Sequence, residues 1–159
     1  MKLFISIAER PGNFGATIFN ACFAMQGISA AYVPCAVTKE NLSAAVSGIR
    51  ALGVAGCGVS MPHKKSIISY LDELSDDARE IGAVNTIVND GGKLIGYNTD
   101  AVGIERALQM HNLLSDKTTA VLVGSGGVAR ACMWVFKKYH MKVTLAARNA
   151  FLGRALATL

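Results

Sequence analysis

Thr118-Thr119-Ala120-Val121-Leu122-Val123-Gly124-Ser125-Gly126-Gly127-Val128-Ala129 joins an apolar, β-branched run to a cluster of glycines and small residues. Thr118–Val123 has the length and composition of a buried strand, and the residues from Val128 onward read as a helix. Lys142–Ala147 reads as the next strand, and Ala150–Leu159 begins another helix. Strand, GxGGxA, helix and strand make the opening βαβ unit of a dinucleotide-binding (Rossmann) fold. The first glycine permits the tight turn, the second lets backbone approach a pyrophosphate, and the small residues after them let helix and strand pack closely. The helix start adds free N–H groups and a favourable dipole for phosphate. Gly124, Ser125, Gly126, Gly127, Val128 and Ala129 are therefore the expected cofactor-binding turn. At the end of the second strand, Ala146-Ala147-Arg148-Asn149 lacks the acid that would bind the ribose hydroxyls of NAD. Arg148, if it is not simply a solvated charge, can pair with a 2′-phosphate, so NADP is expected, with Asn149 beside it.

Upstream of this unit the chain alternates strand and helix. Lys2–Ile7, Ala30–Val37 and Val54–Ser60 read as strands, with helices over 16–26 and after Thr38, which is placed to cap the second helix. Gly27 ends the first helix. This βαβαβ order predicts a mostly parallel sheet with right-handed crossovers. Pro62 suits the first turn of a further helix containing Ile67, Ile68, Tyr70 and Leu71. Glu73–Ile81 reads as a short solvated helix. Ala83–Val88 and Lys93–Tyr97 flank Asn89-Asp90-Gly91-Gly92, a hairpin signal. Thr99 or Asp100 can cap a helix running to about Met110. The polar stretch His111–Lys117 marks the boundary between a domain of residues 1–110 and a partial dinucleotide-binding domain of residues 111–159.

Composition narrows the possible partners. The 159 residues are 52% hydrophobic and carry a net charge of +5, which suits a globular chain with anionic ligands. Lys and Arg are scattered without aromatic interleaving, so nucleic acid is not expected. Cys22, Cys35, Cys57 and Cys132 are widely spaced in apolar contexts, with no metal-ligand spacing, and read as reduced buried thiols. No metal is expected. No apolar run reaches spanning length and the start is too soon polar for a signal peptide, so a cytoplasmic protein is expected.

Gly58-Val59-Ser60-Met61-Pro62-His63-Lys64-Lys65 carries the chemistry. Lys64, Asn85, Asn98 and Asp100 all fall at or just past predicted strand ends, where open α/β sheets present ligand contacts. From spacing alone, Asp100 reads as a helix cap. Lys64 reads equally as a surface lysine or a reactive amine, and His63 as a packing or surface residue. Ser60 can donate to a substrate oxygen.

Ser60-Met61-Pro62-His63-Lys64, Ile81-Gly82-Ala83-Val84-Asn85-Thr86, Gly96-Tyr97-Asn98-Thr99-Asp100 and Gly124-Ser125-Gly126-Gly127 together closely resemble the shikimate dehydrogenase family, in order and spacing, from about Leu3 to Leu159. The resemblance implies an α/β protein: an N-terminal substrate-binding domain with a mostly parallel βαβ sheet, then the first βαβ part of a Rossmann NADP-binding domain. It implies NADP-dependent interconversion of 3-dehydroshikimate and shikimate, or of a quinate-like analogue, within the chorismate pathway to aromatic amino acids. It also implies that Lys64 is the catalytic lysine, Asp100 its partner and Asn85 a hydroxyl-binding asparagine, with Ser60 where a threonine is usual. Hydride transfer to or from a secondary alcohol must be matched by movement of the hydroxyl proton, which a lysine amine can carry.

Several positions depart from the family. Asn13-Phe14-Gly15-Ala16 stands where the family has Ser-x-Ser-Pro hydroxyls for the substrate carboxylate, and Gly58 stands where it has asparagine. Arg10 to Gly15 looks instead like the divergent shikimate dehydrogenase-like subgroup, in which shikimate need not be the best substrate. Asn13, Thr17 or Arg10 are the candidate replacements. The family's chains run well beyond residue 159, so the chain is expected to be a fragment or to be completed by another copy or chain. An uncovered apolar sheet edge favours a homodimer or other self-association. The alternative function is a non-catalytic ligand-binding or regulatory member of the family.

Overall fold

The computed structural model describes residues 1–158, and Leu159 lies outside the described residues. The chain forms two compact units. The first comprises Met1–Ser75 with Val84–Tyr97; the second comprises Asp76–Ala83 and the chain from Asn98 onward.

The first unit is built on β1 (Lys2–Ala8), α1 (Phe14–Met25), β2 (Ala30–Ala36), α2 (Leu42–Ala51) and β3 (Gly56–Val59). β4 (Glu73–Leu74), β5 (Thr86–Asp90) and β6 (Lys93–Tyr97) complete a six-stranded sheet in the order β2-β1-β3-β5-β6-β4. β2, β1 and β3 run parallel, as the alternating pattern predicts; β5 pairs antiparallel with β3, and β6 pairs antiparallel with β5 through the expected hairpin. Gly91 and Gly92 turn that hairpin at positive φ, 57° and 98°, where a side chain would be strained. Ile7, Leu42, Val46, Ile49, Val54, Cys57, Ile67, Val84, Ile87 and Leu94 are buried and form its interior.

Three local expectations are corrected. α2 starts at Leu42 after Asn41, and Thr38 does not cap it; the Thr38 side chain bonds to Glu40 instead. Pro62 does not open an α-helix: it sits in a turn before a short 3-10 segment, Ser66–Tyr70, that seats Ile67 in the core. Glu73–Ile81 is not one solvated helix. Its first two residues pair as β4 with β6, and Asp76–Ile81 forms α3 with Ala78 and Ile81 fully buried.

The second unit contains α3 (Asp76–Ile81), α4 (Thr99–Met110), β7 (Thr119–Val123), α5 (Gly127–Lys138), β8 (Lys142–Ala146) and α6 (Ala150–Ala157). β7 and β8 pair in parallel, with Leu122 opposite Leu145. Ile81, Ala83, Ala101, Ala131 and Val135 are buried together, flanked by Ile104, Leu108, Leu114, Trp134 and Tyr139. α3 and α4 thus belong to the compact unit that holds the glycine turn, so the compact units are not divided at residue 110. Among the described residues, no helix is long and apolar enough to cross a membrane, and none of the His, Cys, Asp and Glu residues cluster in a metal-holding group.

Candidate active site

In the first unit, one end of the sheet gathers Ser60, Lys64 and Asn85 through backbone hydrogen bonds. The N–H of Ser60 donates to the Ile7 carbonyl at 2.9 Å, which ties the exit of β3 to β1. The Ser60 carbonyl accepts from the His63 N–H at 2.9 Å and closes the turn around Pro62. The Lys64 carbonyl accepts from the Val84 N–H at 2.7 Å, and the Asn85 carbonyl accepts from the Val59 N–H at 2.7 Å. Segments far apart in sequence are thereby held in register at the carboxyl end of β3, the usual address for ligand contacts in such sheets. Lys64 is half-buried and Ser60 exposed. The Thr86 hydroxyl donates to the Asn85 side-chain oxygen at 2.9 Å, which orients that amide.

His63 is a packing residue, as one of its two sequence readings has it. It is fully buried and its Nε2 meets the Val37 carbonyl at 2.8 Å, so it fastens the turn bearing Lys64 to the end of β2. Its Nδ1 has no hydrogen-bond partner among the described residues. Cys57, on the strand leading to the site, is buried, and desolvation with a smaller repulsion from Cys35 pushes its thiol up to about 12. It is a core residue and not a nucleophile.

Asn13 and Thr17 lie at the start of α1, just after β1, and both are exposed. The Thr17 N–H and hydroxyl both donate to the Asn13 carbonyl, at 2.9 and 3.1 Å. The hydroxyl proton of Thr17 is therefore engaged within the helix, while its lone pairs and the Asn13 amide face outward. The Asn13 side chain does not cap the helix.

In the second unit, α4 is capped by Asn98 and not by Thr99 or Asp100. The Asn98 side-chain oxygen accepts from the Ala101 N–H at 3.3 Å, and its amide donates to the Ala83 carbonyl at 2.8 Å. Relieved of capping, Asp100 sits half-buried in the first turn of α4. Its charge reaches Cys132, whose thiol is raised first by burial and then by that carboxylate.

The glycine turn has the expected form. Gly124 adopts φ 114°, which few L side chains tolerate, and its N–H donates to the Ala146 carbonyl at 2.8 Å. Gly126 is extended and precedes α5, whose first turn holds no acid. Added Cβ atoms at Gly124 and Gly126 would meet nothing within 4 Å, so the backbone there is open to a ligand. Val123, Gly124, Ser125, Gly126, Ala146, Ala147, Arg148 and Asn149 all line one open cleft of about 730 Å³. Asn149 differs from expectation in one respect: its side-chain oxygen accepts from the Leu152 N–H at 3.0 Å and caps α6. Gly127 opens α5, Val128 is half-exposed and Ala129 is buried, so Ala129 serves close packing. A sugar phosphate suits this cleft: a helix start free of acids, bare backbone and one arginine.

Arg130 was not marked by the sequence, having only a position in a helical pattern. Its Nε donates to the Ile81 carbonyl at 2.5 Å and joins the glycine-turn helix to the Ile81-Gly82 corner.

Comparison with known proteins agrees with both halves. Residues 14–87 match the shikimate dehydrogenase substrate binding domain. Over 99% of its length the chain is 41% identical to the shikimate dehydrogenase-like protein of Haemophilus influenzae, of which it covers 58%. It superposes with a TM-score of 0.92 on shikimate dehydrogenase of Aquifex aeolicus, at 33% identity, covering 99% of this chain and 59% of that one. Against the enzyme of Thermus thermophilus, solved in complex with NADP(H) and shikimate, the TM-score is 0.88 at 26% identity, covering 99% and 60%. The chain thus spans rather more than half the length of these relatives. The strand-end cluster lies inside the segment that matches the shikimate dehydrogenase substrate binding domain, and the relatives similar to this chain through the glycine turn are a shikimate dehydrogenase-like protein and shikimate dehydrogenases.

Proposed function

We propose that the chain serves an NADP-dependent oxidoreductase that interconverts 3-dehydroshikimate and shikimate, or a quinate-like analogue. The observation that carries the proposal is the backbone-tied cluster of Ser60, Lys64 and Asn85 at one sheet end. The residues matched to the family's substrate domain include all three. The bound nicotinamide supplies the hydride acceptor or donor. Gly124, Ser125, Gly126, Gly127 and Val128 would hold the pyrophosphate side of the cofactor, with Ala129 packing the helix behind them and Arg148 and Asn149 at the 2′-phosphate.

Lys64 takes the proton from the substrate hydroxyl as the carbonyl forms and returns it in the reverse direction. Asp100, matched to the family's partner aspartate, bonds the substrate hydroxyl. Ser60 and Asn85 bind hydroxyl groups of the ring, and Asn13 and Thr17 face the carboxylate side. Residues 1–110 act as the substrate-binding and catalytic domain, and residues 111–159 as the first part of the cofactor domain. A cytoplasmic location agrees with four free cysteines. Self-association is supported by exposed Phe14, Met25, Val121 and Val123, and sedimentation velocity reads it.

Shikimate-dependent reduction of NADP+, followed by absorbance, tests the proposal. Lys64→Ala and Asp100→Asn are expected to lower kcat by about 10²- to 10⁴-fold while the fold persists. Absence of turnover by the wild-type chain on both shikimate and quinate refutes the reading for this chain.

A further inference from the structure

Two glycines at the substrate end of the sheet share one neighbour. Gly58 lies on β3, two residues before Ser60, which follows the end of that strand. A Cβ built on Gly58 would stand 2.8 Å from the Tyr32 hydroxyl and 3.4 Å from the Ser6 Cβ. A Cβ built on Gly15, at the start of α1, would meet Tyr32 Cε1 at 3.8 Å and the same hydroxyl at 3.9 Å. The phenol reaches across β1 from β2 into the space that a side chain at Gly58 would otherwise fill.

That phenol is held in place. The Asn20 side chain of α1 accepts from the Tyr32 N–H at 2.8 Å and donates to its carbonyl at 2.9 Å, pairing the open edge of β2. The Phe19 ring stacks on Tyr32 with centroids 4.8 Å apart and planes 15° from parallel. Tyr32 is half-buried, and its hydroxyl makes no hydrogen bond to protein among the described residues. A tyrosine whose ring is packed and whose O–H is left open presents a pre-oriented donor, with little rotamer freedom to lose on binding.

We infer that the Tyr32 hydroxyl is a specificity-determining group of the substrate cleft, donating a hydrogen bond to an oxygen of the bound hydroxy acid from the space between Gly15 and Gly58. The assignment rests on the functional reading above. It gives the absence of side chains at both glycines a physical meaning: the polar contact at this point comes from β2, not from positions 15 and 58. Substrate choice then depends on where a phenol donor, longer and stiffer than an amide or a serine hydroxyl, can reach.

Calorimetric titration of shikimate and quinate into the wild-type chain, Tyr32→Phe, Gly58→Asn and the double variant tests this. Tyr32→Phe keeps the ring and its stacking, so its thermal midpoint is expected to stay unchanged. Its affinity for the preferred acid is expected to fall about five- to tenfold, the loss of one neutral hydrogen bond. Gly58→Asn drives its Cβ against the phenol and is expected to lower the thermal midpoint, which Tyr32→Phe in the double variant restores. Equal affinities of the wild type and Tyr32→Phe for both acids overturn the assignment alone. An unchanged midpoint in Gly58→Asn also overturns it, because the space is then free. If the wild type binds neither acid, the functional reading falls and the assignment with it.

Discussion

Gly82→Ala tests how the corner between Ile81 and Ala83 is built, and its cost has two separable parts. Gly82 adopts φ 66°, a left-handed conformation that costs an alanine about 1–2 kcal/mol. The new methyl would also lie 2.7 Å from Arg130 Nη2 and 3.3 Å from its Cζ and Nε. Arginine side chains usually swing aside cheaply. This one is tethered by its Nε–H to the Ile81 carbonyl at 2.5 Å. Displacing it removes a charged donor from a part-buried acceptor, a further loss of about 1.5–3 kcal/mol. The expected total is about 2.5–5 kcal/mol, large for one methyl group. The assay is urea unfolding followed by fluorescence of Trp134, the single tryptophan, which lies on α5 and bonds Glu80 within the same unit. The decisive comparison is the Arg130→Ala background. There the steric part is already gone, so Gly82→Ala should cost only the backbone strain, giving a coupling of about 1.5–3 kcal/mol. Equal costs in the two backgrounds, within about 0.5 kcal/mol, refute the reasoning.

Three further outcomes follow from the same geometry. Asn98 is 1% exposed and satisfies both the Ala101 N–H and the Ala83 carbonyl, so Asn98→Ala should cost about 2–4 kcal/mol in chemical denaturation. The Asp72 carboxyl is held below its usual range, first by the Arg50 guanidinium at 2.6 Å and then by the Leu94 N–H. Its folded pKa lies below the unfolded one, so its stabilisation is present above the unfolded value near 4 and is lost as pH falls toward the folded value; Asp72→Asn should flatten the urea midpoint over about pH 2–5. Cys57, 2% exposed and with its thiol raised to about 12, should resist a disulfide reagent at neutral pH until the chain unfolds, whereas exposed Cys22 labels at once. Thiol mapping by mass spectrometry reads both.

Much of the geometry of the candidate site was legible in the sequence. Strand ends could be located because buried strands end where apolar runs meet proline, glycine and polar residues, as at Val59-Ser60 and Val123-Gly124. The hairpin and the glycine turn were legible for a local reason: both demand backbone conformations that only certain residues adopt, so the requirement is written in the residues themselves. Capping was harder. Asn98, Thr99 and Asp100 are all able caps, and the choice fell to Asn98 because its amide also reaches the Ala83 carbonyl, a partner 15 residues away. That decision left Asp100 in the first turn of α4 without the capping role that spacing alone assigns it.

By itself the sequence determined the α/β class, the parallel crossovers, the hairpin, the glycine turn and the positions of Ser60, Lys64 and Asn85 at a sheet end. Each depends on periodicity or backbone preference within a few residues. Only the tertiary structure decided that α3 and α4 cluster with the glycine-turn helix, that His63 is a buried fastener, that Arg130 braces Gly82, and that Tyr32 fills the space beside Gly58. Those contacts join residues 26, 48 and 49 positions apart, or strands on either side of β1. They depend on which element packs against which, and no local pattern encodes that.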